Sequence, residues 1–216
     1  MENPYFNTRF KYNIERDKIW KILCGYLQQF IPEKSKVLDA GAGYCYFINN
    51  INANEKYALD IDREVLNYAR EGVKRITGAT ISTEFENGFF DVIFSSNLLE
   101  HLSIDEILRT LNEFKRLVKD GGKVIIISPN FKYCYRVYFD DYTHKSIITD
   151  KSLKDMLHAS GFNVEKIVPK FLPFSAESRL PKSDLLLRIY LMSPWKPFAG
   201  QMMIIARKLG KKEVEN

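Results

Sequence analysis

The chain has 216 residues, a formal net charge of +5 and 45% hydrophobic residues, which is typical of one globular α/β domain and excludes a disordered chain. Its lysines and arginines form no dense stripe, so we expect no nucleic-acid partner. No apolar run approaches the ~20 residues of a membrane span, and no signal peptide is recognisable. Three widely spaced cysteines suit neither a disulfide framework nor a zinc site, which predicts a cytoplasmic protein.

The first predicted element is an amphipathic helix at about Ile14–Phe30, preceded by an aromatic-rich stretch. Its apolar side chains recur at helical spacing, so one face should be buried. We predict that residues 1–35 form an N-terminal helical cap and that residues 36–216 form the main domain.

A buried strand, a glycine-spaced turn and a helix come next, over residues 37–51. The strand ends in Asp39, and Gly41 and Gly43 follow it. This order brings backbone close to a nucleotide-like ligand at the edge of an open α/β sheet. The dinucleotide pattern G-x-G-x-x-G fails, because Tyr46 stands at its third glycine. An acid before the first glycine suits a positively charged ligand and not a pyrophosphate.

The second predicted strand, Lys56–Asp62, also ends in acids. Asp60 follows the acid of the first strand by about 20 residues, the distance at which a strand-end carboxylate meets ribose hydroxyls. Asp62 is a competing candidate, but it is better explained as the N-cap of a helix predicted at Arg63–Arg70.

Strands and helices continue to alternate along the rest of the chain, as in an α/β domain. A capping box at Ser103 and Glu106 begins a helix that runs to about Val118. A second helix is predicted at about Asp150–Ser160. The remaining strands are predicted at Val73–Thr77, Phe90–Asn97, Lys123–Ser128, Asn163–Val168 and Met202–Ala206.

Four of these stretches, within residues 36–130 and in the family's order, resemble class I S-adenosylmethionine-dependent methyltransferases with type 11 or type 23 domains. They are Asp39-x-Gly41-x-Gly43, Asp60, the run Phe90–Leu102 and the run Phe114–Asn130. The resemblance implies a Rossmann-like, doubly wound sheet of seven mostly parallel strands with an antiparallel last strand and with helices on both faces. It also implies methyltransferase activity and S-adenosylmethionine as the cofactor. Cys45 departs from the pattern, since it replaces the third glycine.

Carried over residue by residue, the resemblance implies these cofactor-binding positions: Asp39, Ala40, Gly41, Gly43, Asp60, Ile61, Ala79, Thr80 and Ser95. Asp60 would hold the ribose, and Ile61 would pack on the adenine. Ala79 replaces an acid that is frequent in the family, so backbone groups there would meet the adenine amino group. N-terminal segments of such enzymes often fold over the cofactor. Residues 5–16 either do so, or the first helix covers one edge of the sheet.

Two of the three histidines are candidates for the catalytic base. His144 lies in a tyrosine- and phenylalanine-rich loop at residues 131–148, beside Asp141, which could orient it. A loop this long inside a compact domain is usually functional. His101 follows the fourth strand, near the expected methyl group. Each also has a purely structural interpretation, packing against the next helix for His101 and fixing the loop for His144. His158 is expected on the surface.

Quinone-modifying O-methyltransferases of this superfamily carry a Glu-x-x-Glu-His run where this chain has Asn97-x-x-Glu100-His101, and some bind a divalent ion there. Because Asn97 replaces the first acid, we predict no metal. DNA amino-methyltransferases carry a Pro-Pro-Tyr-type run after the fourth strand, and this chain lacks it, so methylation of nucleic-acid bases is not expected.

An insertion at residues 169–200 separates the last two predicted strands and contains the apolar segment Leu185–Met192. The segment either packs on the protein, covers an apolar acceptor, or lies on the inner membrane face. In the last case Lys182, Arg188 and Lys196 would face lipid head groups.

The sequence therefore predicts an S-adenosylmethionine-dependent methyltransferase that acts on a small-molecule or lipid-linked glycan acceptor, at oxygen. Two alternatives stay open. One is a non-catalytic S-adenosylmethionine-binding protein, and the other is a nucleotide- or NAD-binding Rossmann enzyme.

Overall fold

The computed structural model describes residues 11–174 and 183–210, and in them seven strands form one sheet in the order β3-β2-β1-β4-β5-β7-β6. Strand β7 is antiparallel to both of its neighbours, and the other strand pairs are parallel. The predicted sheet is thus confirmed. The strands are β1 (Lys36–Ala40), β2 (Glu55–Asp60), β3 (Val73–Thr77), β4 (Phe90–Ser96), β5 (Val118–Pro129), β6 (Phe162–Pro173) and β7 (Ala199–Lys208).

The helices of the described residues are α1 (Ile14–Leu27), α2 (Tyr46–Asn50), α3 (Ile104–Leu117), α4 (Phe131–Cys134), α5 (Asp150–Ala159) and α6 (Asp184–Met192). The predicted capping box starts α3, since the Ser103 hydroxyl accepts from the backbone N–H of Glu106 and the Glu106 carboxylate accepts in return. None of the described helices is long and apolar enough to cross a membrane.

Side chains alternate between the two faces of the sheet and build a hydrophobic core on each. On β4, Val92 and Phe94 point toward α1, α2 and α6, whereas Ile93 points toward α3 and α5. Helices therefore cover both faces, as the family resemblance implied.

The prediction of a helix at Arg63–Arg70 was wrong, because only one 3₁₀ turn forms there, at Val65–Tyr68. Tertiary hydrogen bonds end it. The backbone N–H of Arg70 donates to the Asn49 side chain at 2.8 Å, and its guanidinium pairs with Asp17 of α1 at 2.7 Å.

Three strands are longer than predicted. Strand β5 begins at Val118, directly after α3, and includes Gly121 and Gly122; Gly121 has φ +76°, and a Cβ on Gly122 would meet the Val118 side chain at 2.7 Å. Strand β6 continues to Pro173 and β7 starts at Ala199. The segment between them therefore shrinks to residues 174–198.

Candidate functional site

A cavity of about 430 Å³ lies at the carboxyl ends of the central parallel strands. After β1 the chain forms β2 and β3 on one side and then crosses to β4 on the other side of β1, and such a switch point opens a crevice between the loops. One part of the lining holds the glycine turn and the acids of β1 and β2. The other part holds Glu100, His101, Asp140, Asp141 and His144.

The glycine turn after β1 is shaped by positive φ angles, +75° at Gly41 and +48° at Gly43. A Cβ on Gly41 would meet the Leu98 side chain at 3.1 Å, so the chain passes close to the loop after β4. Cys45 also has a positive φ, of 60°, and its side chain packs in the hydrophobic core. The replacement of the third glycine by Cys45 therefore places a residue other than glycine at a positive φ, but its side chain does not line the cavity.

Asp60 ties this turn to the end of β2. Its carboxylate accepts from the backbone N–H of Gly43 at 2.8 Å and from that of Asp62 at 2.9 Å. Burial raises the pKa of Asp60, and these hydrogen bonds oppose the shift. Each carboxylate oxygen has a second lone pair, so Asp60 can still accept from ligand hydroxyls. The Asp62 carboxylate accepts instead from the N–H of Glu64, at 2.9 Å.

Asp39 is only 3% exposed and lines the same part of the cavity. Burial, and then the negative charge of Asp60, hold its pKa well above the ordinary value, while the N–H of Ile48 opposes the shift. A ligand that carries positive charge and vicinal hydroxyls would stabilise both carboxylates in their ionised form. S-adenosylmethionine has these features, so the residues present fit that cofactor.

The other predicted cofactor positions divide into two groups. Ile61 is 72% exposed and lines the cavity. Arg16 of α1 lines the same cavity. The Ser95 hydroxyl donates to the carbonyl of Ala40 at 3.0 Å, which ties β4 to β1. Four predicted positions lie outside the described lining, and their contact with the cofactor stays a prediction; they are Ala40, Ala79, Thr80 and Ser95.

The two candidate catalytic histidines, far apart in the chain, meet in the other part of the cavity. The ring centroids of His101 and His144 are 5.0 Å apart. One nitrogen of each ring and one carboxylate oxygen of Glu100 lie within 4.8 Å of one another. Sequence reasoning named Glu100 only as part of a motif, because nothing in the sequence shows that His144 folds back onto it.

Backbone hydrogen bonds hold the loop of His144 against the turn after β4. The N–H of Lys145 donates to the carbonyl of Glu100 at 2.8 Å, and the Ser146 hydroxyl donates to that of Leu102 at 2.6 Å. The buried Tyr138 hydroxyl donates to the carbonyl of Ser146. Tyr138 and residues 145–146 thus pack against the protein, and this packing places His144 beside His101.

Hydrogen bonds orient both imidazole rings, with partners that differ from the predicted pairing. The carbonyl of Tyr138 lies 2.7 Å from Nδ1 of His144. The Thr143 hydroxyl donates to the Asp141 carboxylate at 2.6 Å and lies 2.9 Å from Nδ1 of His101. Asp141 thus acts on His101 through Thr143, whereas a backbone carbonyl orients His144.

Burial dominates the protonation of this cluster. It raises the pKa of Glu100 to about 8, against a hydrogen bond of 3.2 Å from the Ser128 hydroxyl. Burial, and then the neighbouring His144, lower the pKa of His101 to about 4. The imidazole of His101 is therefore neutral at neutral pH.

Comparison with known proteins identifies the family of this chain. Residues 12–167 match the family model described as methyltransferase domain. An uncharacterised protein of Methanocaldococcus jannaschii is 26% identical over 92% of this chain and 85% of its own. The phosphoethanolamine N-methyltransferase of Plasmodium falciparum is 28% identical over 61% of this chain and 55% of its own.

Solved structures have the same fold. A SAM-dependent methyltransferase from Archaeoglobus fulgidus has a TM-score of 0.66 at 22% identity, covering 90% of this chain and 98% of its own. An S-adenosylmethionine-dependent methyltransferase from Mesorhizobium loti has a TM-score of 0.63 at 16% identity, covering 85% and 96%.

The sheet order, the glycine turn and the two strand-end acids define the class as a Rossmann-like enzyme of the S-adenosylmethionine-binding type. The chain belongs to the methyltransferase domain family. It is an S-adenosylmethionine-dependent methyltransferase, and the NAD-binding alternative is set aside.

Proposed function

We propose that this enzyme methylates an oxygen of a small-molecule acceptor held beside Glu100, His101 and His144. One observation carries the proposal: a single cavity contains both the glycine turn with Asp60 and the histidine pair. The cofactor, when bound, supplies a methyl group already activated by a neighbouring positive charge. The protein must position the acceptor, exclude water and remove a hydroxyl proton.

The histidine pair suits the removal of that proton. A carbonyl can only accept a hydrogen bond, so Nδ1 of His144 must donate to Tyr138. In neutral His144 the lone pair is then on Nε2, where it can take up a proton. The neutral His101 beside it adds no positive charge that would oppose this step.

Methylation of an amine nitrogen is the second candidate function. Asp140 and Asp141 line the acceptor part of the cavity, and carboxylates attract a cationic amine. The Plasmodium falciparum relative is by name an N-methyltransferase. An amine acceptor must therefore be tested alongside hydroxyl acceptors.

We further propose a lipid-linked glycan acceptor and a contact with the inner membrane face. Large apolar side chains on and after α6 are more than half exposed: Leu185, Ile189, Met192, Trp195 and Phe198. The opposite side of α6, with Leu187 and Leu191, packs in the core and lines the cavity. A membrane-facing α6 would thus lie next to the acceptor.

The test measures S-adenosylhomocysteine formed from S-adenosylmethionine with phenols, catechols, sugar alcohols, lipid-linked glycans and primary amines. Turnover with hydroxyl acceptors supports the proposal, and turnover with amines alone would replace it by N-methylation. Calorimetry should show binding of S-adenosylmethionine and S-adenosylhomocysteine but not of NAD. Failure to bind the first two would contradict the assigned cofactor site.

A further inference from the structure

We propose that Glu100, His101 and His144 bind a divalent transition-metal ion at the acceptor end of the cavity, contrary to the sequence-based prediction of no metal. A carboxylate oxygen and one nitrogen of each ring already lie within 4.8 Å of one another. All three residues line the cavity, so an ion held by them would meet an entering acceptor. The inference rests on the proposed function and specifies how the acceptor is activated.

The donor set selects the class of metal. Two imidazoles and one carboxylate are typical ligands of Zn²⁺ and other first-row transition metals, whereas Mg²⁺ and Ca²⁺ prefer oxygen ligands. Three protein ligands leave coordination positions for water or for the acceptor. The site therefore has the composition of an open, substrate-accessible centre.

Hydrogen bonds fix the tautomer of His101. The Thr143 hydroxyl has one hydrogen and donates it to Asp141 at 2.6 Å. Toward Nδ1 of His101, 2.9 Å away, the same hydroxyl can then only accept. Nδ1 carries the proton, and in neutral His101 the lone pair is on Nε2.

His144 has the same tautomer for a different reason. Its Nδ1 lies 2.7 Å from the carbonyl of Tyr138, which must accept. In their neutral forms both rings therefore carry the lone pair on Nε2, the nitrogen that would bind the ion. An N–H donor opposite the coordinating nitrogen is the usual arrangement of a metal-bound histidine.

Glu100 supplies the charge for the site. Glu100 is only 1% exposed, and its carboxylate accepts a hydrogen bond from the Ser128 hydroxyl at 3.2 Å. An ionised carboxylate this deeply buried is costly unless a cation is near. All three proposed ligands thus have a hydrogen-bond partner outside the site: Thr143 for His101, Tyr138 for His144 and Ser128 for Glu100.

A bound ion would lower the pKa of a coordinated hydroxyl. The hydroxyl proton passes to water, and the oxygen then forms the new C–O bond as the C–S bond breaks and its electron pair stays on sulfur. In this scheme both imidazoles act as ligands, so the ion occupies Nε2 of His144 and water takes the proton that His144 would accept in the absence of metal. It also explains why two histidines and a buried acid converge on the acceptor.

The experiment titrates tag-free, chelator-treated protein with Co²⁺ and follows the visible absorption of the ion. We expect one Co²⁺ per chain, displaced by Zn²⁺ but not by an equal concentration of Mg²⁺. Glu100→Gln, His101→Ala and His144→Ala should each abolish the signal, and the surface variant His158→Ala should keep it. Thr143→Val should weaken Co²⁺ binding by roughly 10–100-fold, because it removes only the group that orients His101.

Binding of S-adenosylhomocysteine by each variant verifies its fold. No Co²⁺ binding, or binding that survives all three ligand substitutions, would overturn the metal site. Methyl transfer at an undiminished rate by metal-free protein would do the same, yet would leave the proposed function intact. If S-adenosylmethionine does not bind with or without metal, the proposed function fails instead.

Discussion

Asp60 and His144 show how single side chains combine structural and functional roles. Asp60 holds the glycine turn through Gly43 and still faces the cavity. His144 is fixed by the Tyr138 carbonyl and lies against His101. A substitution at either position therefore removes a side chain whose orientation is fixed by hydrogen bonds.

Replacing Asp60 with alanine should weaken S-adenosylmethionine binding about 10- to 150-fold. The variant loses the carboxylate that would accept hydrogen bonds from the ribose hydroxyls and that holds the glycine turn. Such a contact is worth about 1.5–3 kcal/mol. Isothermal calorimetry measures the change. Asp62→Ala is the matched control, since the Asp62 carboxylate accepts from Glu64 instead. If only the Asp62→Ala variant lost affinity, the ribose contact would have to be assigned to Asp62 instead of Asp60.

His144→Ala should lower the methyl-transfer rate by about 10²–10⁴, because it removes a group that activates the acceptor. Cofactor affinity should stay unchanged, because His144 lies with His101 and not beside the glycine turn. Steady-state kinetics and calorimetry on the same preparation separate the two effects. His158→Ala, on the exposed side of α5, should behave as wild type. A fully active His144 variant would exclude this residue from catalysis.

At the scale of elements, α6 has one buried side and one exposed side. Leu187 and Leu191 are buried, whereas Leu186 is 50% and Met192 81% exposed. The sequence predicted an apolar segment but not which side is covered. Lys182, one of the basic residues expected at a membrane, lies outside the described residues.

The membrane contact predicts co-sedimentation with anionic vesicles, stronger at low salt than at high salt because salt screens the charge contribution. Met192→Ser combined with Trp195→Ser should reduce binding, because it removes exposed apolar area. Ile104→Ser is the control, as Ile104 is 49% exposed but lies on the opposite side of the sheet. Protein that stays in the supernatant at both salt concentrations would refute the contact.

For the whole molecule, the buried acids couple stability to pH. Asp39 has a folded-state pKa well above its ordinary 3.8. Above 3.8 and below the raised pKa, the folded state binds more protons than the unfolded state, so the contribution of Asp39 to stability decreases as pH rises. That contribution is fully present below pH 3.8 and lost as pH increases toward the raised value.

Asp39→Asn should remove this contribution, so the variant should lose less stability than wild type between pH 5 and pH 8. Urea unfolding of the cofactor-free proteins at both pH values measures the difference. Taking the difference from wild type separates Asp39 from groups with the opposite sign, such as His101. An identical pH dependence in the two proteins would show that Asp39 is not the responsible acid.

The sequence by itself determined the succession of strands and helices, the glycine turn and the two strand-end acids. These features are local, because strands and helices follow from periodicity and the turn from two glycines next to Asp39. The seven-stranded sheet and the cofactor class followed instead from the resemblance to a known family. Boundaries were less accurate, since tertiary contacts such as those of Arg70 ended or extended elements. The division into a cap at residues 1–35 and a main domain stays a prediction.

Only the tertiary structure decided which side chains meet in the part of the cavity away from the glycine turn. Glu100 and His101 come from the turn after β4, whereas His144 comes from a loop beyond β5. Their convergence depends on hydrogen bonds from that loop to the backbone carbonyls of Glu100 and Leu102, and no periodicity or local motif encodes such bonds. The sequence identified both histidines separately, but it could not show that they meet at a buried carboxylate. The proposed metal site depends on that long-range contact.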